Sequence, residues 1–189
     1  LKLDVQYRSI THNLGENLLG ELLAKSTKYD RAVGFFTSSA FTVARQNWNT
    51  FFARGGVMRL VCSPHFSGED IEAMAEGIFN RPKYRRLSFQ EVSDITSSKF
   101  SCTRLLSWLL ANDRLSIKIA CRTGINNRAM YHEKIAVFTD SDNDYVCLSG
   151  SINESKAAWL ENFERVDLFA SWQSNTDKSR ATQINHSFK

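Results

Sequence analysis

The sequence predicts an α/β domain: a mixed β-sheet flanked by helices on both faces. Two patterns carry that expectation. Early in the chain, short apolar runs of strand length alternate with stretches of helical periodicity, and late in the chain the strand-like runs follow one another closely. The third observation is composition. With 42% hydrophobic, 23% charged and 12% aromatic residues among 189, the chain has the balance of an ordinary folded domain and can bury one sizeable core. That balance excludes a disordered chain, a collagen and a coiled coil.

Leu14, Leu18, Leu19, Leu22 and Leu23 recur at helical spacing, which predicts an amphipathic helix over residues 13–25. Residues 32–36 form a short apolar run between Asp30 and Thr37-Ser38-Ser39, read as a buried strand and a helix start, the helix running to Arg54. Gly55 and Gly56 stop it, residues 57–62 read as a second buried strand, and Pro64 closes that strand. Asp70, Ile71, Met74, Ile78 and Phe79 predict a helix from Gly68, and Leu105, Leu106, Trp108, Leu109 and Leu110 a longer one over 98–111. Between them, residues 81–86 read as a basic loop.

Residues 115–121 alternate apolar and polar, a strand pattern, and further strands are expected at 132–138, 145–149 and 165–170. The polar turn Ser141-Asp142-Asn143-Asp144 reads as a hairpin connection. Trp48, Trp108 and Trp159 fall among apolar helical positions and are expected in the core. One domain is expected over residues 1–189, with its core at about 30–170. The initial Leu1 and the polar stretch 171–189 point to a piece of a longer protein.

Cys62, Cys102, Cys121 and Cys147 form no CxxC pair and are read as buried thiols in a reducing compartment. No apolar run approaches the roughly 18 to 20 residues that span a bilayer. The chain opens with no charged and apolar leader, so a cytoplasmic protein without a membrane partner is expected. A net charge of +4 suits a phosphate-bearing partner without requiring one.

The chemistry gathers late in the chain. His132 and Lys134 stand two apart on an expected strand and so share a face, with Glu133 on the other. Gly150-Ser151-Ile152-Asn153 is a small-residue turn whose glycine lets the backbone approach a ligand and whose amides and side chains can hold an oxyanion. Glu164 follows eleven residues after Asn153. Breaking a phosphodiester needs a nucleophile, positive charge on the phosphoryl oxygens and a proton for the leaving oxygen. Without a metal or cofactor, neither of which this set calls for, side chains must supply all three. Imidazole attacks or transfers protons near neutral pH, lysine gives a compact charge, and Asn and Ser donate hydrogen bonds. Glu164 can accept from the second ring nitrogen of His132 and hold its tautomer.

HxK at His132 and Lys134, GSxN at Gly150 to Asn153 and the glutamate at 164 together resemble the phospholipase D superfamily. The resemblance is closest to its branch of metal-independent nucleases, which includes restriction endonucleases and domains joined to helicases. Tyr29-Asp30-Arg31-Ala32-Val33-Gly34-Phe35-Phe36, Arg59-Leu60-Val61-Cys62-Ser63-Pro64-His65 and Asn162-Phe163-Glu164 are similar to the helicase-linked and restriction-type members. The resemblance covers about residues 30–169.

It implies a phospholipase D-like sheet with one half-site per chain. His132 would be the nucleophile that forms a phosphohistidine, Lys134 and Asn153 would hold the phosphate with help from Ser151, and Glu164 would orient His132. Family members need two such motifs per active site, and neither His12, His65 nor His186 is followed two residues later by lysine. The resemblance therefore implies a homodimer that brings two copies of His132 to one phosphate. The family's usual aspartate, five positions after the lysine, is Thr139 here with Asp140 next to it. A slip of one residue turns a strand side chain to the other face, so Asp140 is left outside the catalytic set.

The expected activity is a metal-independent phosphodiesterase or endonuclease that cleaves DNA, in restriction or phage defence, with a fused or associated helicase, ATPase or DNA-recognition domain. Two alternatives stand beside it: a phosphate-binding DNA-targeting module of a larger helicase or restriction enzyme, and a phosphodiesterase for a substrate other than nucleic acid. Arg122 and Arg128 flank the loop leading to His132 and are expected to meet phosphates beside the scissile one, with Gly150 admitting the substrate. An HxK triplet alone arises by chance, whereas its coincidence with GSxN and a spaced glutamate does not. For residues 81–86 a solvated face outweighs a nucleic-acid contact. Tyr131 reads as packing and His65 as structural.

Overall fold

In the computed structural model, residues 3–93, 99–121 and 130–188 are described. The chain runs through β1 (Gln6–Arg8), a π-helical turn (Gly15–Gly20), α1 (Glu21–Lys25), β2 (Lys28–Val33), a 3-10 turn (Ser38–Thr42) and α2 (Arg45–Ala53). It continues through β3 (Val57–Cys62), α3 (Gly68–Phe79), α4 (Arg81–Arg85), α5 (Phe89–Ser93), α6 (Lys99–Ala111) and β4 (Leu115–Ile119). The last elements are β5 (Lys134–Thr139), β6 (Tyr145–Gly150), α7 (Lys156–Leu160), β7 (Arg165–Ala170) and α8 (Asn175–His186).

The strands form one mixed sheet in the order β1-β7-β6-β5-β2-β3-β4. β2, β3 and β4 are parallel because helical crossovers separate them in the chain, and the other pairs are antiparallel. One consequence governs the site. The ends of β2, β3 and β6 and the starts of β5 and β7 all lie at the same end of the sheet.

Tyr29, Met58, Leu60, Ala136, Phe138, Leu148 and Leu168 turn to one face and pack on Leu18, Leu22, Trp48, Phe52, Leu106 and Leu109. Full burial of such side chains contributes roughly 1.5–3 kcal/mol each. Val137, Cys147 and Phe169 turn to the other face and meet Ala181 and Ile184 of α8. Helices thus lie on both faces, as expected. Trp48, Trp108 and Trp159 are buried, and so are Cys62, Cys102 and Cys147, whereas Cys121 is exposed, contrary to the expectation for it. No helix among the described residues is long and apolar enough to cross a membrane.

Several elements differ from the sequence reading, each for a physical reason. β2 begins four residues earlier than the apolar run, because Asp30 and Arg31 are charged yet fully paired inside the fold. The helix expected to run to Arg54 is broken at Ala44, whose φ of 49° is left-handed, leaving a 3-10 turn and then α2. Residues 81–86 carry α4 rather than a loop, and their basic side chains are neutralised locally. Arg81 and Arg85 each reach Asp113 at 2.8 Å, and Lys83 reaches Glu76 at 2.7 Å. The polar stretch after Ser171 holds α8, capped by the Ser174 hydroxyl accepting from Asp177 N at 3.1 Å. β5 starts at Lys134, so His132 lies just ahead of the strand.

Candidate active site

The register of β5 sets Val33 opposite Lys134 on one side and Ser149 opposite Ile135 on the other, while Gly150 lies opposite Val166 of β7. Lys134, Ser151, Asn153 and Glu164 therefore meet at one end of the sheet. His132 joins them from the segment leading into β5. Because it lies outside the strand, strand alternation does not set the direction of its ring.

The backbone that carries His132 is tied down at three points. Ser63 Oγ donates to Tyr131 O at 2.9 Å, and Lys134 Nζ donates to His132 O at 3.3 Å. Gly34 provides the third, since a Cβ there would stand 3.0 Å from Tyr131 O and 3.3 Å from His132 Cδ2. The missing side chain is what lets residues 131–132 cross the end of β2. The His132 ring is exposed and makes no hydrogen bond with a described residue. Tyr131 OH donates to Glu133 at 2.6 Å, and burial followed by that bond pushes the phenol well above its usual pKa, so it stays protonated.

Lys134 makes no ion pair with a described residue. Burial lowers its ammonium pKa, repulsion from Arg31 lowers it further, and Glu164 partly offsets both. Asn153 Oδ1 accepts from Phe35 N at 3.1 Å.

Glu164 is held from three sides. Its Oε2 accepts a short bond from Ser151 Oγ, its Oε1 accepts from Asn162 Nδ2 at 3.3 Å, and its backbone N donates to Ser9 Oγ at 2.9 Å. Ser151 Oγ also accepts from Arg165 N at 3.1 Å. The serine proton is directed at the carboxylate, so Ser151 orders Glu164. No hydrogen bond joins Glu164 to the His132 ring.

Gly150 is required by its packing. A Cβ there would lie 2.1 Å from Arg165 O and 2.7 Å from Val166 Cα, so the neighbouring strand by itself requires the glycine. Arg122 and Arg128 lie outside the described residues. Asp140 sits at the far end of β5, accepting from Asp142 N at 2.9 Å and Asp144 N at 3.0 Å, a turn role remote from His132. His65 is exposed on the loop after β3. Among the described residues, no group of three or more His, Cys, Asp or Glu side chains is placed to hold a metal ion.

Sequence reading missed a buried polar cluster directly behind the site. Glu154 Oε2 accepts from Tyr29 OH at 2.8 Å and from Arg31 Nε at 2.8 Å. Arg31 also donates from Nη1 to Ile135 O at 3.1 Å and from Nη2 to Ile152 O at 2.5 Å. The available signal was a pair of charges, Asp30 and Arg31, interrupting an otherwise apolar run. Ser9 left no such signal.

No family model and no curated protein sequence matches the chain. Among solved structures it is similar to NucT from Helicobacter pylori, with a TM-score of 0.52 and 14% identity over 96% of this chain and 94% of that one. Nuc from Salmonella typhimurium, a phospholipase D family member, gives a TM-score of 0.47 and 12% identity over 90% of this chain and 84% of that one. A mutant of yeast tyrosyl-DNA phosphodiesterase gives 0.49 and 6% identity over 87% of this chain and 30% of that one. The likeness to NucT spans nearly the whole of both chains and shows a shared fold. The chain thus shares the α/β fold of NucT, a mixed sheet with helices on both faces.

Proposed function

We propose that this protein is a phosphodiesterase of the nuclease kind that cleaves DNA without a metal, through a phosphohistidine, in a homodimer whose two half-sites form one active site. The observation that supports it is the company His132 keeps. An exposed imidazole, a Lys134 ammonium without an ion pair among the described residues and an Asn153 amino group with no described acceptor share one end of the sheet.

In this reading a ring nitrogen of His132 attacks phosphorus while Lys134 and Asn153 hold the non-bridging oxygens. The bond to the leaving oxygen breaks as the protonated His132 of the second copy gives up its proton to that oxygen. Water then attacks the phosphohistidine, losing its proton to the now neutral second imidazole, and the N–P bond breaks. A carboxylate offers about four acceptor positions. Glu164 therefore keeps capacity to receive an imidazole N–H beside its bonds to Ser151 and Asn162. The proposed setting is restriction or phage defence, with recognition supplied by a fused or associated domain.

The test is incubation of labelled DNA with the protein in excess chelator, with brief quenches to trap phosphate on the chain. Products that vanish in His132→Ala, and an acid-labile adduct at His132, support the reading. DNA binding with a steep salt dependence and no products would replace it with a targeting module. Turnover of phospholipid vesicles but not DNA would move the substrate outside nucleic acids.

A further inference from the structure

The cluster behind the site has a geometry that stability does not explain. Arg31 is 2% exposed and Glu154 is 0% exposed, a buried ion pair set in an apolar core. Pairs of this kind are often matched or exceeded in stability by apolar residues of similar volume, because desolvating two charges offsets their attraction. The placement of the partners is informative. Ile135, bonded by Nη1, adjoins Lys134; Ile152, bonded by Nη2, adjoins Asn153; and Glu154, bonded by Nε, adjoins Asn153 on its other side.

Resting on the phosphodiesterase reading, we propose that Arg31 and Glu154 are positioning residues, which set Lys134 and Asn153 at the spacing one phosphate requires. A single planar guanidinium spans the gap between the two segments that bear those groups, and its rigid fork fixes their separation. Glu154 orients the fork. The segment around Glu154 is itself anchored, since its backbone N donates to Phe35 O at 3.1 Å and its carbonyl accepts from Thr37 N at 2.9 Å. Phe35 is also the residue whose N–H holds Asn153. Tyr29 closes the cluster by donating to the same carboxylate oxygen as Arg31. Burial and the neighbouring Glu154 raise its phenol pKa well above the usual value, so it serves as a permanent donor.

The experiment is the double variant Arg31→Met/Glu154→Met in the full chain. It is assayed for melting temperature, for hydrolysis of bis(p-nitrophenyl) phosphate, and for affinity toward inorganic phosphate by calorimetry. The expected result is a melting temperature lowered by no more than the loss of partners for Tyr29 OH and the two carbonyls accounts for, with the protein still folded, kcat/KM lowered about 100-fold, the scale of a misplacement near 1 Å, and phosphate binding weakened about tenfold. Arg31→Lys is the companion variant. It keeps an ion pair with Glu154 but cannot donate to both carbonyls at once, so it too should lose about tenfold in kcat/KM. Wild-type hydrolysis and phosphate affinity in the double variant would overturn positioning and leave the phosphodiesterase reading intact. A wild-type protein that hydrolyses nothing but binds phosphate, with binding weakened in both variants, would overturn the enzyme reading and keep positioning. A wild-type protein that neither hydrolyses the diester nor binds phosphate would end both. If the double variant fails to fold, full activity of Arg31→Lys overturns the proposal and loss of activity sustains it. Unfolding of both variants would assign the pair to the core alone and overturn it too.

Discussion

The side-chain oxygen of Asn153 accepts the backbone N–H of Phe35 at 3.1 Å, across 118 positions of sequence. An N–H only donates, so this bond decides which end of the amide faces the chain and leaves the amino group for an incoming oxygen. Asn153→Asp keeps an acceptor for Phe35 but presents a negative charge to the phosphate. Its kcat/KM on an activated phosphodiester should fall about 100- to 1000-fold with little change in melting temperature. Activity within tenfold of wild type would remove Asn153 from the site.

In the proposed reaction Lys134 sets a pH limit. Its charged form is the useful one, and burial together with Arg31 disfavours that form, so the proton leaves at lower pH than from an ordinary lysine near about 10.4. The basic limb of the pH profile for kcat/KM should accordingly lie below that value. Arg31→Met removes the repulsion and should move the residual activity's limb to higher pH. A limb unmoved by that change would disconnect the two cations.

Two glycines offer a contrast in stability. Gly150→Ala forces a methyl against Arg165 O, where 2.1 Å is available, and should lower stability by about 1–3 kcal/mol or more while displacing Glu164. Gly68→Ala, at the start of α3 with nothing within 4 Å of the new carbon, should leave stability equal or slightly raised. Denaturant melts of the two variants side by side would show whether β6 and β7 approach as closely as described.

Thiol alkylation tests the packing of both sheet faces. Burial pushes Cys62 and Cys147 up to about 12, and each is fully enclosed, whereas Cys121 is exposed. Iodoacetamide at mildly alkaline pH should label Cys121 in the folded protein and reach Cys62 and Cys147 only after denaturation, as read by peptide mass. Early labelling of Cys147 would mean that α8 does not cover its face.

Mixed dimers test the shared site. If attack and protonation come from different copies of His132, a protomer carrying His132→Ala should depress the activity of a wild-type partner well beyond half. Activity proportional to the wild-type fraction would place a whole site in each chain.

The parts of this protein that were legible before folding are those governed by near neighbours. β3 and β7 match residues 57–62 and 165–170 because apolar runs and their ends are local features. The HxK triplet, the GSxN turn and the spaced glutamate were visible for the same reason, as residue types at short separations. β2 was displaced and α8 overlooked because their evidence is remote. Asp30 is accommodated in a strand by Arg59, 29 positions on, together with Lys28 two positions before it, and in a helix as polar as α8 Ala181 and Ile184 find Val137 and Cys147.

By itself, then, the amino-acid order determined the chemical inventory and the α/β class, since periodicity and spacing act over a few residues. Only the tertiary structure decided which groups serve one another. Ser151 and Asn162 bond Glu164, the neighbouring strand fills the space at Gly150, and Arg31 reaches 121 positions to Ile152. Such partnerships follow from strand register, and register is settled by the packing of the whole sheet.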